Sequence, residues 1–166
     1  MPLTVTPFSA PLGAEITGID LRHDLDEKSF GLIEAAWHDH QVLIIRDQDL
    51  GKDDQIGFAS RFGTVGARGL PADQRNETDD YGGAIMMITN KKDSDGNFVG
   101  SVPEGELWFH SDLSYKQKPH MATFLHAMEL PSSGGNTMFS NMYQAYDNLP
   151  EALKNKLSGR KVLHAY

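Results

Sequence analysis

With 166 residues, 39% hydrophobic and 23% charged, the chain has the make-up of an ordinary globular protein long enough for one domain with a real core. A formal net charge of −8 argues against a general nucleic-acid or anionic-membrane surface. The lack of cysteine excludes disulfides, zinc ribbons and thiol catalysis.

The opening MPLTVTPFSAPLG has neither the basic region nor the apolar run of a signal peptide. The apolar blocks, such as Val42 to Ile45, are far too short to span a bilayer. A cytoplasmic protein is therefore the expectation, and no internal repeat is visible. Within the first 20 or so residues, LGAEITGIDL reads as a short hairpin. Residues 26–40 read as an amphipathic helix, with Asp26 as cap and Phe30, Ile33 and Trp37 at helical spacing. QVLIIRDQ (41–48) reads as a buried strand. Residues 52–62 read as a short helix with Ile56, Ala59 and Phe62 on one side, stopped by Gly63.

The stretch 66–84 is rich in Gly, Asp, Arg and Asn and reads as a long loop. AIMMITN (84–90) reads as a strand, and the polar run 91–106 as a hairpin tip with a DG turn signal leading into a mobile segment. Loops 66–83 and 91–106 are expected to be the least ordered internal segments. MATFLHAM (121–128) reads as a strand, SSGGNT as a turn, and TMFSNM as continuing strand. Residues 141–157 are helical with a break before Pro150, and KVLHAY begins one more strand. A last strand without a return element suggests a fragment of a larger domain.

The chemistry concentrates in ELWFHSDLSYKQKP, residues 106–119. If this stretch is extended, His110 and Asp112 point to one side, since residues i and i+2 of a strand share a face. They would then supply two-thirds of a 2-His-1-carboxylate site of the kind that holds Fe(II) with open positions. The bland alternatives are a His–Asp hydrogen bond or an exposed turn. H-x-D alone does not choose between them.

Several motifs in order do choose. Phe109-His110-Ser111-Asp112 is followed by Pro119, by ATFLHAMELPSSGGNT and by Ala145-Tyr146. This series, with LGAEITGIDL and QVLIIRDQ…RFG before it, resembles the TauD/TfdA family from about residue 8 to the end. These are Fe(II)- and 2-oxoglutarate-dependent dioxygenases. The resemblance implies a mainly β fold with flanking helices (α+β), a double-stranded β-helix or jelly-roll. Residues 1–166 would be a single domain holding the N-terminal portion of it.

The resemblance also implies that His110 and Asp112 ligate iron and that Thr137 hydrogen-bonds a carboxylate of 2-oxoglutarate. A strand-edge Thr satisfying a turn is the alternative for Thr137. Asp112 would serve as the anionic ligand, and His110 as a neutral imidazole oriented by an acceptor on its other nitrogen. The family's second iron-binding His and its 2-oxoglutarate-binding Arg are expected beyond residue 166. His164 lies 52 residues past Asp112 but falls where the family has an ordinary strand. His23, His38 and His40 read as surface or capping residues, and His126 as a satisfied core histidine.

Family substrate pockets use the loop after FG and the residues before H-x-D, which here offer Arg68, Arg75, Glu106 and Trp108. A small organic, anionic substrate is implied, with molecular oxygen as co-substrate, no nucleic acid and no membrane. Self-association is left open. The rival reading is a truncated, non-catalytic remnant that binds metal weakly or serves as an interaction module. An intact mass well above 18.4 kDa would favour the enzyme. Two other motifs fail: DSDGNF (93–98) has Phe98 where a calcium loop needs Gly, and SSGGNT lacks the Lys of a phosphate loop.

Overall fold

A computed structural model describes residues 2–67, 71–75, 81–101 and 107–163. They fall into two compact units, Met1–Gly51 with Leu125–Tyr166, and Lys52–Phe124. No helix among the described residues is long and apolar enough to cross a membrane.

The first unit is built on a three-stranded sheet in the order β1 (Thr4–Pro7), β2 (Ala14–Thr17), β3 (Leu43–Ile45). β1 and β2 form an antiparallel hairpin with Val5 opposite Ile16. β2 and β3 pair in parallel, with Ile16 opposite Ile45. Parallel neighbours need a crossover, supplied by α1 (Glu27–His40). Alternation along β2 buries Ala14 and Ile16, and helical spacing along α1 buries Phe30, Ile33 and Ala36. With Leu21 these are the buried apolar residues among those described, and Ile16 and Ile33 are the largest fully enclosed.

Both ends of α1 are secured. The Asp26 carboxylate accepts the Ser29 backbone N–H at 2.7 Å, which with the Ser29 hydroxyl holds its pKa below the usual carboxylate range. At the other end Gln41 takes a left-handed conformation (φ 63) and donates its N–H to the Trp37 carbonyl at 2.7 Å. Its side-chain oxygen accepts from Asn141 Nδ2 at 3.1 Å. That nitrogen also donates to the Pro11 carbonyl at 2.7 Å. Asn141 Oδ1 in turn caps α3 (Met142–Asp147) by accepting from Gln144 N. α4 (Glu151–Leu157) follows after Pro150, so the expected helical stretch is two helices.

In the second unit α2 (Lys52–Ser60) is followed by a turn that brings Phe62 beside Phe58, ring centroids 5.4 Å apart. Short 3-10 turns lie at Ala72–Gln74 and Tyr81–Gly83. The DG signal is a real turn: Asp93 Oδ1 accepts from the backbone of both Asp95 and Asn97, and Lys92 pairs with Phe98.

The architecture is therefore mixed α/β with a small sheet. A jelly-roll is not displayed by the described residues. The strand expected over 84–90 is reduced to a single bridge, Ile88 with Ser101. Residues 121–126 do alternate between exposed and half-buried, but among the described residues no segment pairs with them, so they do not form a strand. Residues 137–141 and 161–163 are likewise irregular. Leu43–Ile45 is shorter than the expected 41–48 because Gln41 closes the helix and Asp47 turns at φ 56.

Ile33→Ala should lower unfolding free energy by about 2–5 kcal/mol, read from urea unfolding. Asp26 ionises at lower pH in the folded chain, so its capping contribution is complete above the unfolded pKa of about 4. It is lost as pH falls through the folded value. Asp26→Ala should therefore lower Tm at pH 7 and converge on the parent protein in strong acid, checked by thermal unfolding across that range.

Candidate metal centre

His110 and Asp112 meet in the second unit. His110 Nε2 stands 3.3 Å from Asp112 Oδ1, with the two side chains 53% and 42% exposed. The other ring nitrogen, Nδ1, lies 2.7 Å from the Trp108 carbonyl oxygen. A carbonyl only accepts, so Nδ1 carries the hydrogen. In the neutral ring, Nε2 then presents a lone pair to a carboxylate oxygen. Two acceptors at this distance repel unless a proton or a cation lies between them.

The segment is not a strand. Ser114 N donates to Ser111 O at 3.2 Å, Lys116 N to Leu113 O at 2.9 Å, and Leu113 has φ 52. A non-glycine residue in the left-handed region marks a turn that its surroundings hold in place. The pair thus stands at the start of a turn that opens at Ser111, just after His110, and not on a strand.

The second oxygen of Asp112 is also engaged. Thr123 Oγ1 donates to Asp112 Oδ2 at 2.6 Å. The next residue, Phe124, packs its ring on Phe58 (5.7 Å, edge-on) and Phe62 (5.3 Å). The aromatic cluster therefore anchors the stretch that brings Thr123 to the carboxylate. Neither Thr123 nor Phe58 stands out in the sequence, because the contacts join positions far apart in the chain. Within the same unit, a side chain at Gly66 would meet the His120 ring at 2.6 Å, so that glycine gives His120 its room.

Donor chemistry fits a divalent cation. Two cis ligands of an octahedral ion, each about 2.1 Å from it, lie about 3 Å apart, close to the 3.3 Å observed. Among the described residues no third His, Cys, Asp or Glu completes a cluster. His164, Arg68 and Glu106 lie outside the described residues. Trp108 is 88% exposed. The Arg75 guanidinium lies close beside Gly83, where any side chain would meet it at 2.7 Å. Thr137 belongs to the first unit, where it is exposed just after Gly134 and Gly135, both at positive φ in the expected turn. His126 Nε2 lies 3.4 Å from the Gln48 carbonyl, in keeping with a histidine that has found a partner.

A histidine nitrogen and a carboxylate oxygen this close are two of the donor types that a 2-His-1-carboxylate site uses, and comparison with known proteins gives the family. The model of the "Taurine catabolism dioxygenase TauD, TfdA family" matches residues 4–166, and the chain belongs to that family. It is 34% identical to pentalenolactone F synthase of Streptomyces avermitilis, over 99% of this chain and 53% of that protein. It is also 34% identical to the (S)-phenoxypropionate/alpha-ketoglutarate-dioxygenase of Delftia acidovorans, over 98% of this chain and 54% of that one. A solved Burkholderia xenovorans structure, assigned as an alpha-ketoglutarate-dependent 2,4-D dioxygenase, superposes with a TM-score of 0.61 at 26% identity. That match covers 95% of this chain and 51% of the other. The chain spans about half the length of the curated relatives it matches.

Phe124→Ala removes two ring contacts worth about 0.5–1.5 kcal/mol each. It should destabilise the protein by at least about 1–3 kcal/mol in urea unfolding, since these terms come on top of the apolar area the ring buries.

Proposed function

We propose that the protein is an Fe(II)- and 2-oxoglutarate-dependent dioxygenase that hydroxylates a small organic, anionic substrate with molecular oxygen, releasing succinate and carbon dioxide. The observation that carries this reading is the convergence of His110 Nε2 and Asp112 Oδ1 at 3.3 Å in a chain of this family.

His110 and Asp112 would hold the metal, and Thr137 would hydrogen-bond a carboxylate of 2-oxoglutarate. When bound, iron and 2-oxoglutarate supply the oxidising chemistry. The work of the chain's own residues is to bind and orient. The Trp108 carbonyl keeps the hydrogen on Nδ1, so Nε2 is offered as a neutral ligand. Asp112 contributes the anion that offsets part of the cation's charge. A second His and an Arg, as the family pattern requires, would complete the metal and 2-oxoglutarate sites.

The substrate's class is supported by the names of relatives that act on carboxylates. They include the phenoxypropionate enzyme and a 2,4-dichlorophenoxyacetate dioxygenase of Cupriavidus pinatubonensis, 31% identical over 99% of this chain and 58% of that protein. Arg68 is the cation proposed to meet such an anion, with Glu106 and Trp108 on the approach to His110.

In the whole protein, Asp112→Ala should abolish succinate formation, because it removes the anionic ligand. Unimpaired turnover would end the dioxygenase reading. Thr137→Ala removes one neutral hydrogen bond to a carboxylate, worth about 0.5–3 kcal/mol. Its half-saturating 2-oxoglutarate concentration should rise about two- to hundredfold, with iron affinity nearly unchanged. Loss of iron binding in that variant would move the co-substrate site elsewhere.

A further inference from the structure

We propose that Thr123 is a positioning residue for the metal centre: its hydroxyl fixes the Asp112 carboxylate so that Oδ1, and not Oδ2, faces the ligand nitrogen of His110. The proposal rests on the metal reading above and extends it to a residue eleven positions away.

A carboxylate on a free side chain turns about its last bond and offers either oxygen. Here each oxygen has a separate partner. Oδ2 accepts the Thr123 hydroxyl at 2.6 Å, and Oδ1 stands 3.3 Å from His110 Nε2. The first contact has the length expected of a hydroxyl donating to a charged oxygen. With Oδ2 taken by Thr123, Oδ1 is the oxygen left facing Nε2.

The donor is itself held. Phe124, next in the chain, is locked between Phe58 and Phe62, and a β-branched Thr has few side-chain rotamers. His110 is fixed through the Trp108 carbonyl in the same manner. Each ligand therefore has one partner on the side away from the metal position. Such outer partners commonly contribute 10–100-fold to metal affinity.

The test uses Thr123→Val, which keeps the branched shape and removes the hydroxyl, beside Thr123→Ser, which restores the hydroxyl alone. Without metal, the Asp112 side-chain carboxyl carbon is followed by NMR. With Co(II), affinity is read from broadening of the His110 ring signals. Thr123→Val should shift the Asp112 carboxyl signal and weaken Co(II) binding at His110 about 10–100-fold. Thr123→Ser should return both toward the parent values, with Tm of both variants close to the parent protein. A Thr123→Val protein with a parental carboxyl signal, or with parental Co(II) affinity, overturns the proposal. A parent protein whose His110 is no more sensitive to Co(II) than that of Asp112→Ala overturns the metal reading instead. The metal-free carboxyl signal then still decides whether Thr123 orients Asp112.

Discussion

The parallel pairing of β2 with β3 is the constraint on which the first unit depends. Two parallel strands cannot be joined by a tight turn, so the chain must leave the sheet and return. α1 makes that return, and its buried face and that of β2 contain nearly all the enclosed apolar side chains described. The return must also be sharp. Gln41 ends the helix in a left-handed conformation that glycine would adopt more readily, and its side chain bonds the Asp39 carbonyl at 3.0 Å. Beyond β3, Gln48 closes the arrangement. Its side chain accepts from Leu21 N at 2.9 Å and donates to the Ile19 and Arg46 carbonyls.

The second unit is organised by aromatic rings rather than by a sheet. Phe58, Phe62 and Phe124 pack mutually at 5.3–5.7 Å, bringing the start of the unit to its end. Phe124 is next in the chain to Thr123, whose hydroxyl donates to Asp112. The His110–Asp112 pair is half-exposed, yet each side chain is held, one by the Trp108 carbonyl and the other by the Thr123 hydroxyl. Exposure and fixed side chains therefore coexist at this pair.

Sequence periodicity disclosed the parts that depend on local physics. Asp26, followed by Phe30 and Ile33 at helical spacing, marks α1 correctly, because a cap and an apolar stripe are written in neighbouring residues. The alternation of residues 121–126 is equally legible and equally present in the structure, but a strand needs a hydrogen-bonded neighbour that no local pattern supplies. The closeness of His110 and Asp112 accords with their H-x-D spacing, but a strand is not what produces it. The pair stands instead at the start of a turn with Leu113 at positive φ, a conformation that a leucine gives no reason to expect. Thr123 was illegible for a different reason: a threonine in an apolar run has many ordinary uses, and its contact depends on where Phe58 and Phe62 lie.

Asn141 has a consequence for which chemistry its position can tolerate. Its amide nitrogen donates to both the Pro11 carbonyl and the Gln41 side-chain oxygen, while its oxygen caps α3. An aspartate has nearly the same shape and would cap that helix at least as well. It has no hydrogen to give when ionised, so it would set a negative charge against two oxygen acceptors. Judged by α3 alone the two residues are interchangeable; judged by the hairpin and the end of α1 they are opposites. The position thus distinguishes two side chains that differ by one atom and one charge, and it does so through segments 130 and 100 residues away.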